Sequence, residues 1–369
     1  MKVLIAPDKF KGSLTALEVA THLAAGLEMH PDVHCTLLPL ADGGDGSVRA
    51  AVAAGYHAHP VTTVGPTGQP VHTEIAFDGH TAVVEVANTC GISLLPDGLE
   101  PLEATSYGFG QAVEAALALN PQTVVLALGG SASTDAGMGM LTALGAVFID
   151  QQGRQLTGSG GQLSTVAAVD LRRLDRLRQI EWVIASDVEA PLYGTSGAAH
   201  VFGPQKGASS RVVQQLDQGL RHVAALSGPS AEQLAGVPGA GAAGGLGFAG
   251  LLLGGRVVSG ATYFLDLLHF DDAVANTDLV ITGEGRIDDQ TLQGKLPLVV
   301  AERSAPRPVH VVVGRNDLSA RTDPHFATIH QLSDYTTADS RSDPQLTASL
   351  LTRIGRVIAN TLAGQLITG

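Results

Sequence analysis

The chain has little cysteine, few aromatic side chains and no surplus of positive charge among its 369 residues. Its two cysteines, Cys35 and Cys90, form no CxxC pair, so we expect two idle thiols in a reducing compartment. The formal charge of −13 argues against nucleic-acid and anionic-membrane partners, because both bind basic faces. The longest apolar stretches, such as GFAGLLLGG, are too short to span a membrane. The apolar stretch in MKVLIAPDKF is too short for a signal peptide and is followed directly by charged residues. The sequence therefore predicts a soluble, cytoplasmic protein.

Several catalytic motifs are also missing. The 13 histidines show neither HExxH nor a comparable metal-ligand spacing, and no GxSxG elbow supports a serine hydrolase. The segment GAGAAG at residues 239–244 matches the dinucleotide-binding fingerprint, but GVP stands where that motif requires a strand. An NAD-dependent oxidoreductase would rest on this segment alone. The other interpretations are a glycine loop that contacts a ligand and a plain turn between helices.

Lysine is scarce, and its positions are informative. The chain has five lysines, and four of them, Lys9, Lys11, Lys206 and Lys295, stand in the glycine-flanked segments PDKFKGS, FGPQKGA and LQGKLP. Elsewhere the chain relies on arginine for its positive charge. A lysine ammonium is a compact point charge suited to a phosphate oxygen, whereas arginine is a planar fork. This placement favours a phosphorylated ligand, and the alternative is chance in a composition that favours arginine.

The hydrophobic pattern predicts an α/β fold. VLIAP is a continuous apolar run followed by helical spacing in LTALEVATHLAAGLEM, and the same rhythm returns from about residue 265 in DLVITG and PVHVVVG. Continuous apolar strands alternating with helices indicate a parallel sheet that is covered on both faces. Between these parts, residues 60–87 alternate apolar and polar residues, which is typical of hairpins. We expect a discontinuous Rossmann-like parallel-sheet domain over residues 1–62 and 262–369, with a large inserted second α/β domain over 63–261.

Charged residues, glycines and small polar residues follow one predicted strand after another. Ligands bind beyond the carboxyl ends of the strands in open parallel sheets. In GGSASTDAGMG, small residues between a strand and a helix would let backbone N–H groups approach an anion. The candidate binding residues there are Gly130, Ser131, Ser133 and Asp135. The alternative for this segment is a tight turn in which Asp135 or Thr134 caps the helix.

TGEGRIDDQTLQGK has the densest set of charged side chains. Phosphoryl transfer to a hydroxyl needs a cation on the phosphates, carboxylates for magnesium and a base for the acceptor proton. Glu284, Arg286, Asp288 and Lys295 supply these residue types at the end of a predicted strand. The segment is not a Walker A loop, because Leu296 follows Gly294-Lys295 and Asp289 stands where the first glycine would be.

Seven segments in this order resemble the bacterial glycerate kinase family, which phosphorylates D-glycerate without a P-loop. They are APDKFKGSL, PLADGGDGS, GGSASTDAGMGML, SDVEAPLYG, FGPQKGA, GAAGGLG and TGEGRIDDQTLQGK. The resemblance implies the two-domain α/β architecture, ATP with Mg²⁺, and transfer of the γ-phosphoryl group to D-glycerate to give 2-phosphoglycerate and ADP. Ser186, Glu189 and Ala190 depart from the cysteine and asparagines usual in the family. Lys9 replaces a commoner serine, which makes Lys11 the better candidate.

The resemblance also suggests roles for the candidate residues. Lys11, Lys206 and Lys295 would offset phosphate charge, and Arg286 would hold the glycerate carboxylate or the γ-phosphate. Amides of the GGSAS segment would cradle a phosphate, and Glu284 would bind a substrate. Asp187 is the candidate general base, and Asp288 could exchange roles with it or with Asp42 or Asp45. Asp42 and Asp45 are candidate magnesium ligands or substrate anchors.

Other functions are compatible with the same residues. A kinase could form 3-phosphoglycerate or act on another small hydroxy acid, such as tartronate or a longer aldonate, because pocket shape decides the acceptor. A non-catalytic sensor of sugar acids would be expected to have lost a lysine or aspartate from the charged set, and no such loss is visible. The sequence leaves the oligomeric state open, and a homo-oligomer is compatible with it.

Overall fold

The computed structural model describes residues 1–289, 291–320 and 322–368, without the side chains of 293 and 363–368. The strands are β1 (Lys2–Ile5), β2 (His34–Leu37), β3 (His57–Val64), β4 (Pro70–Phe77), β5 (Thr81–Glu85), β6 (Thr123–Ala127), β7 (Val147–Asp150), β8 (Val166–Asp170), β9 (Glu181–Ala185), β10 (Arg256–Val258), β11 (Leu279–Ile287), β12 (Val309–Asn316) and β13 (Thr328–Gln331). The helices are α1 (Ala16–Leu27), α2 (Ser47–Ala53), α3 (Ala87–Cys90), α4 (Tyr107–Leu117), α5 (Met138–Ala143), α6 (Ala198–Phe202), α7 (Ser210–Leu226), α8 (Pro229–Ala235), α9 (Leu246–Leu252), α10 (Gly260–Leu267), α11 (Phe270–Ala275), α12 (Leu296–Ser304) and α13 (Pro344–Thr368).

The chain divides into two compact units. The first consists of Met1–Asp42 and Ala261–Gly369, and the second of Gly43–Gly260. Their boundaries differ from the expected ones mainly where the chain first passes from the first unit to the second. This point lies between residues 42 and 43, and not between residues 62 and 63 as expected. The physical reason is that β3 pairs along its whole length with β4, and α2 packs on β5, so residues 43–62 belong to the second sheet. Treating each unit as a functional domain stays a prediction.

The first unit contains a five-stranded parallel sheet in the order β13-β12-β11-β1-β2. Its strands come from both ends of the chain, and Val3 of β1 lies opposite Leu279 of β11. Helix α1 begins with a capping box between Thr15 and Glu18, which satisfies two backbone N–H groups at its first turn. The parallel sheet expected from the two ends of the sequence is therefore confirmed.

Helices α1 and α13 pack very closely in the first unit. A Cβ added to Gly26 would lie 2.1 Å from the carbonyl oxygen of Thr352, and one added to Gly355 would lie 2.3 Å from that of Leu23. Both positions therefore require glycine, because any side chain would separate the helices. Around this contact, the buried leucine and isoleucine side chains of both helices form the core on one face of the sheet.

The second unit contains a six-stranded mixed sheet in the order β10-β9-β6-β5-β4-β3. Strands β3, β4 and β5 are antiparallel neighbours, as the alternating pattern predicted, whereas β5, β6, β9 and β10 run parallel. The core of this unit includes the buried rings of Phe109, Trp182 and Phe248. Strands β7 and β8 form a separate two-stranded antiparallel sheet. Among the described residues, no helix is both long enough and apolar enough to cross a membrane.

Candidate functional site

The structure distributes the predicted site residues over the two units. Lys11, Asp42, Glu284, Arg286, Asp288 and Lys295 lie in the first unit, and Asp45, Gly130, Ser131, Ser133, Asp135, Asp187 and Lys206 lie in the second. Most of them lie at or after the carboxyl ends of parallel strands, whereas Lys206 follows helix α6.

In the first unit, one lysine joins two carboxylates. The side chain of Lys9 follows β1, and its Nζ lies 3.4 Å from Asp8 Oδ1 and 3.6 Å from Asp42 Oδ1. Asp8 is only 8% exposed. Burial raises the pKa of Asp8 to about 7, the Lys9 ammonium opposes this rise, and the negative charge of Asp42 adds to it. Lys9 is therefore the counter-ion of this acidic pair, and not an incidental surface residue.

Glu284 adds a third carboxylate from the neighbouring strand, β11. It accepts a hydrogen bond of 3.1 Å from the Thr291 hydroxyl. Burial raises the pKa of Glu284 to about 8; the Thr291 hydrogen bond and the Lys295 charge lower it, and the charges of Asp8 and Asp42 raise it. Strands β2, β1 and β11 are adjacent in the sheet, which is why residues far apart in the sequence influence each other here. We call Asp8, Asp42 and Glu284 the acidic cluster.

The other predicted residues of the first unit lie around this cluster with varied partners. Lys295 occupies the N-cap position of α12, and its Nζ lies 3.8 Å from Asp288 Oδ1. The exposed Arg286 forms a 2.7 Å ion pair with Asp317, which also pairs with Arg315. Lys11 is exposed. Lys11 and Arg286 are thus exposed, whereas Asp8 is buried and Glu284 is half-buried.

The acidic cluster contains carboxylate oxygens, the ligand type that Mg²⁺ prefers. No set of three His, Cys, Asp or Glu side chains converges on a metal position in the part of the chain that the structure describes. Mg²⁺ is usually held by one or two carboxylates together with substrate phosphates, and not by an all-protein cage. The carboxylates of the buried Asp8, the half-buried Glu284 and Asp42 are candidates for such ligands. Asp45, predicted with Asp42, is an exposed residue of the second unit, and its role as a ligand stays a prediction.

In the second unit, the loop after β6 surrounds a buried lysine. Lys206 is 4% exposed, and its Nζ donates to Ser131 Oγ at 2.9 Å and to the Ser133 carbonyl at 2.5 Å. Burial lowers the pKa of Lys206 to about 8, although the charge of Asp135 opposes this. Gly130 has φ of +83°, a conformation that favours glycine. The sequence placed Lys206 in a glycine-flanked loop, and the structure places its ammonium inside the unit.

The carboxylate of Asp135 accepts four hydrogen bonds from the protein. Its carboxylate accepts hydrogen bonds from the backbone N–H and hydroxyl of Ser106 and from the backbone N–H groups of Gly137 and Gly139, at 2.7 to 3.3 Å. Burial raises the pKa of Asp135, and these hydrogen bonds oppose the rise. The contacts favour the helix-capping interpretation of this aspartate over direct ligand binding.

Asp187 follows β9 at the same edge of the second sheet. It is exposed, and its Oδ1 accepts a 2.9 Å hydrogen bond from the backbone N–H of Gly260. The preceding Ser186 accepts a hydrogen bond from the backbone N–H of Val188. An accessible carboxylate with one oxygen oriented by the backbone can receive a proton. The geometry is compatible with the role of base, which stays a prediction.

The glycine-rich segment 239–244 is a packing element. A Cβ on Gly244 would lie 2.1 Å from the Ser133 carbonyl oxygen, and one on Gly245 would lie 2.5 Å from the Cα of Ala136. Residues 242–244 form a 3₁₀ turn, and no strand precedes the segment in the described sheet order. The glycines allow this turn to pack directly on the backbone of the loop after β6. They do not form the strand-to-helix turn that a dinucleotide needs.

Sequence reasoning missed three residues of these edges. Asp8 lies in the segment APDKFKGSL but was assigned no role, and Lys9 was ranked below Lys11. Glu85, at the end of β5, is buried and accepts hydrogen bonds from the backbone N–H groups of Gly46 and Val48 at 3.1 and 3.0 Å. It therefore fixes the glycine-rich loop that precedes α2. A carboxylate ending the apolar run TAVVE was the available signal.

The chain is similar to known proteins over most of its length. The model of the glycerate kinase family matches residues 3–363. The chain is 40% identical to a glycerate kinase of Haemophilus influenzae, covering 97% of this chain and 99% of the relative. It is 41% identical to the glycerate 2-kinase of Escherichia coli over 82% of this chain and 81% of that protein. A crystal structure of a provisionally named glycerate kinase 2 from Salmonella typhimurium LT2 is 37% identical, with a TM-score of 0.81 and 99% of each chain covered. The chain belongs to the glycerate kinase family.

Proposed function

We propose that this chain is an ATP-dependent glycerate kinase that phosphorylates D-glycerate at its C2 hydroxyl. The observation that carries the proposal is the family match over residues 3–363. The choice of C2 is supported by the relative from Escherichia coli, which is named a glycerate 2-kinase and is 41% identical. The products would be 2-phosphoglycerate and ADP.

In the proposed reaction, the C2 oxygen of D-glycerate forms a bond to the γ-phosphorus of ATP. The bond between that phosphorus and the β,γ-bridging oxygen breaks, and ADP leaves with the electron pair. The proton of the C2 hydroxyl passes to Asp187. This carboxylate suits the role because it is exposed at a strand end while Gly260 fixes one of its oxygens. Asp288, half-buried beside Lys295, is the alternative base.

Charge compensation is the other requirement of phosphoryl transfer, because charge is spread over several phosphate oxygens. Lys11 and Lys295 supply accessible cations in the first unit, and Arg286 supplies a planar fork for a carboxylate or phosphate. One or two of the carboxylates of Asp8, Asp42 and Glu284 would hold Mg²⁺ together with the phosphates. When bound, Mg²⁺ would neutralise phosphate charge. In the second unit, the backbone around Gly130 would lie against an anionic group.

The proposal is tested by ADP release from the purified chain with Mg-ATP and D-glycerate. L-Glycerate, tartronate, a longer aldonate and a reaction without acceptor serve as comparisons. We expect ADP release to depend on D-glycerate and to exceed that with each other acceptor. Faster turnover of tartronate or an aldonate would assign the chain to another hydroxy acid. Nucleotide binding without transfer to any acceptor would support the sensor interpretation and contradict the proposal.

A further inference from the structure

The contacts of Lys206 direct its ammonium towards the protein. Two of the three N–H donors of its ammonium are used by Ser131 Oγ and the Ser133 carbonyl, and the side chain is almost fully buried. Both acceptors belong to the loop after β6, so the ammonium acts on the residues of that loop.

The ammonium of Lys206 can polarise the hydroxyl of Ser131. A serine hydroxyl has one donor and two acceptor sites, and the ammonium of Lys206 uses one acceptor site of Ser131. The hydroxyl makes no other hydrogen bond within residues 1–289, 291–320 and 322–368, so its own hydrogen is available. A hydroxyl that accepts a charge-assisted hydrogen bond is polarised and becomes a stronger donor. It is therefore suited to an anionic oxygen.

The same loop contains two buried hydroxyl groups without a hydrogen-bond partner among the described residues. The hydroxyl oxygens of Ser133 and Thr134 are buried and have no hydrogen-bond partner within the described parts of the chain. Buried hydroxyls are normally satisfied by protein, water or ligand. The adjacent backbone is held closely, since a Cβ on Gly129 would lie 2.4 Å from the Cα of Gly44. The loop thus combines a fixed backbone with three hydroxyls that can still make hydrogen bonds.

We propose that Ser131 binds an anionic oxygen of a substrate through its hydroxyl hydrogen, and that Lys206 is the positioning residue that orients and polarises this hydroxyl. The inference rests on the proposed function, which supplies two such oxygens, a phosphate of ATP and the carboxylate of glycerate. Lys206 contributes without touching either ligand. This differs from the role expected from the sequence, in which Lys206 itself would offset phosphate charge.

The test uses the full chain and a double-mutant cycle of Ser131→Ala and Lys206→Met. Calorimetry would measure binding of Mg-AMPPNP and, separately, of D-glycerate, so that the two sources of the anionic oxygen are distinguished. Loss of one charge-assisted hydrogen bond corresponds to a loss of affinity of about tenfold to a hundredfold. We expect this loss for S131A with one of the two ligands. K206M should lose at least as much, and the double variant should equal K206M.

A pH series gives a readout that a purely structural role would not move. Burial lowers the pKa of Lys206 to about 8, and Asp135 is the charged group that acts on it. As the pH rises through 8 the ammonium is lost, so the affinity of the unmodified chain should fall. Comparing it with S131A at each pH cancels titration of the ligand itself. The affinity difference between the two proteins should shrink above pH 8.

Lys2→Met is the matched control, because it makes the same chemical change at an exposed residue of β1. Unchanged affinity of S131A for both ligands would overturn the inference, as would additive losses in the cycle. If K206M does not fold, the affinity difference between S131A and the unmodified chain across the pH series still tests the role of Lys206. Failure of the proposed function looks different: ADP release would be missing with D-glycerate, while the effect of S131A on binding would persist.

Discussion

Glu284 should make the free protein less stable as the pH rises. Burial, with the negative charges of Asp8 and Asp42, raises its pKa from 4.5 to about 8. The unfolded chain therefore releases this proton at a lower pH than the folded chain, which binds more protons between pH 4.5 and 8. Stability falls with pH across that window, and the loss is complete above it.

The size of this effect follows from the two pKa values. The difference between 8 and 4.5 is about 3.5, and at about 1.4 kcal/mol for each pKa unit it gives about 5 kcal/mol as an upper limit. Glu284 is half-buried, so solvent screening reduces the value, and we expect about 2–3 kcal/mol. Glutamine imitates the protonated acid and keeps the oxygen that accepts from the Thr291 hydroxyl. Glu284→Gln should thus remove the penalty without removing that contact.

Urea unfolding without nucleotide and with EDTA measures the prediction. At pH 4, below the ordinary glutamate pKa of 4.5, the free energies of unfolding of E284Q and the unmodified chain should be nearly equal. At pH 8.5 E284Q should be more stable by about 2–3 kcal/mol. Glu302→Gln, an exposed change on α12, is the control and should follow the unmodified chain. Equal pH dependence of E284Q and the unmodified chain would refute the placement of Glu284 among buried negative charges.

Two other substitutions test the second unit. Asp187→Asn keeps the oxygen that accepts from the Gly260 N–H, so kcat measured by ADP release should fall by about 10²–10⁴ while the urea midpoint changes little; an unaltered kcat would move the base elsewhere. Gly244→Ala combines a φ of +73° with a Cβ placed 2.1 Å from the Ser133 carbonyl oxygen, and should lower the free energy of unfolding by about 3 kcal/mol or more. Gly153→Ala, with φ of +77° and open space, should cost only about 1–2 kcal/mol; equal losses for the two variants would contradict the close packing.

Local patterns predicted the elements of the fold but not where the chain leaves the first sheet. Apolar runs in VLIAP and DLVITG indicated parallel strands, and the alternating residues before Thr81 indicated the hairpin. The position of the first boundary depends on pairings such as His57 with Phe77 and on α2 packing against β5. Such contacts join distant residues, and no periodicity reports them.

In the candidate site as well, local patterns predicted some features, whereas others depend on contacts between distant residues. Strand ends identified Asp42, Glu284 and Lys295 because a parallel sheet brings its carboxyl ends to one edge. The sequence did not reveal that Asp8 is buried between them, because this follows from the order β2-β1-β11. Burial was equally hidden for Lys206, since the glycines beside it suggested an exposed loop, whereas the tertiary fold encloses the ammonium.

The most direct test of the central claim is phosphorus NMR of the product formed from Mg-ATP and D-glycerate by the purified chain. Reactions with L-glycerate and without acceptor are the controls. We predict one new phosphomonoester, 2-phosphoglycerate, that appears only with D-glycerate as ATP is converted to ADP. A 3-phosphoglycerate signal would contradict the C2 assignment and keep the kinase. No phosphorylated glycerate, with nucleotide still bound, would contradict the account.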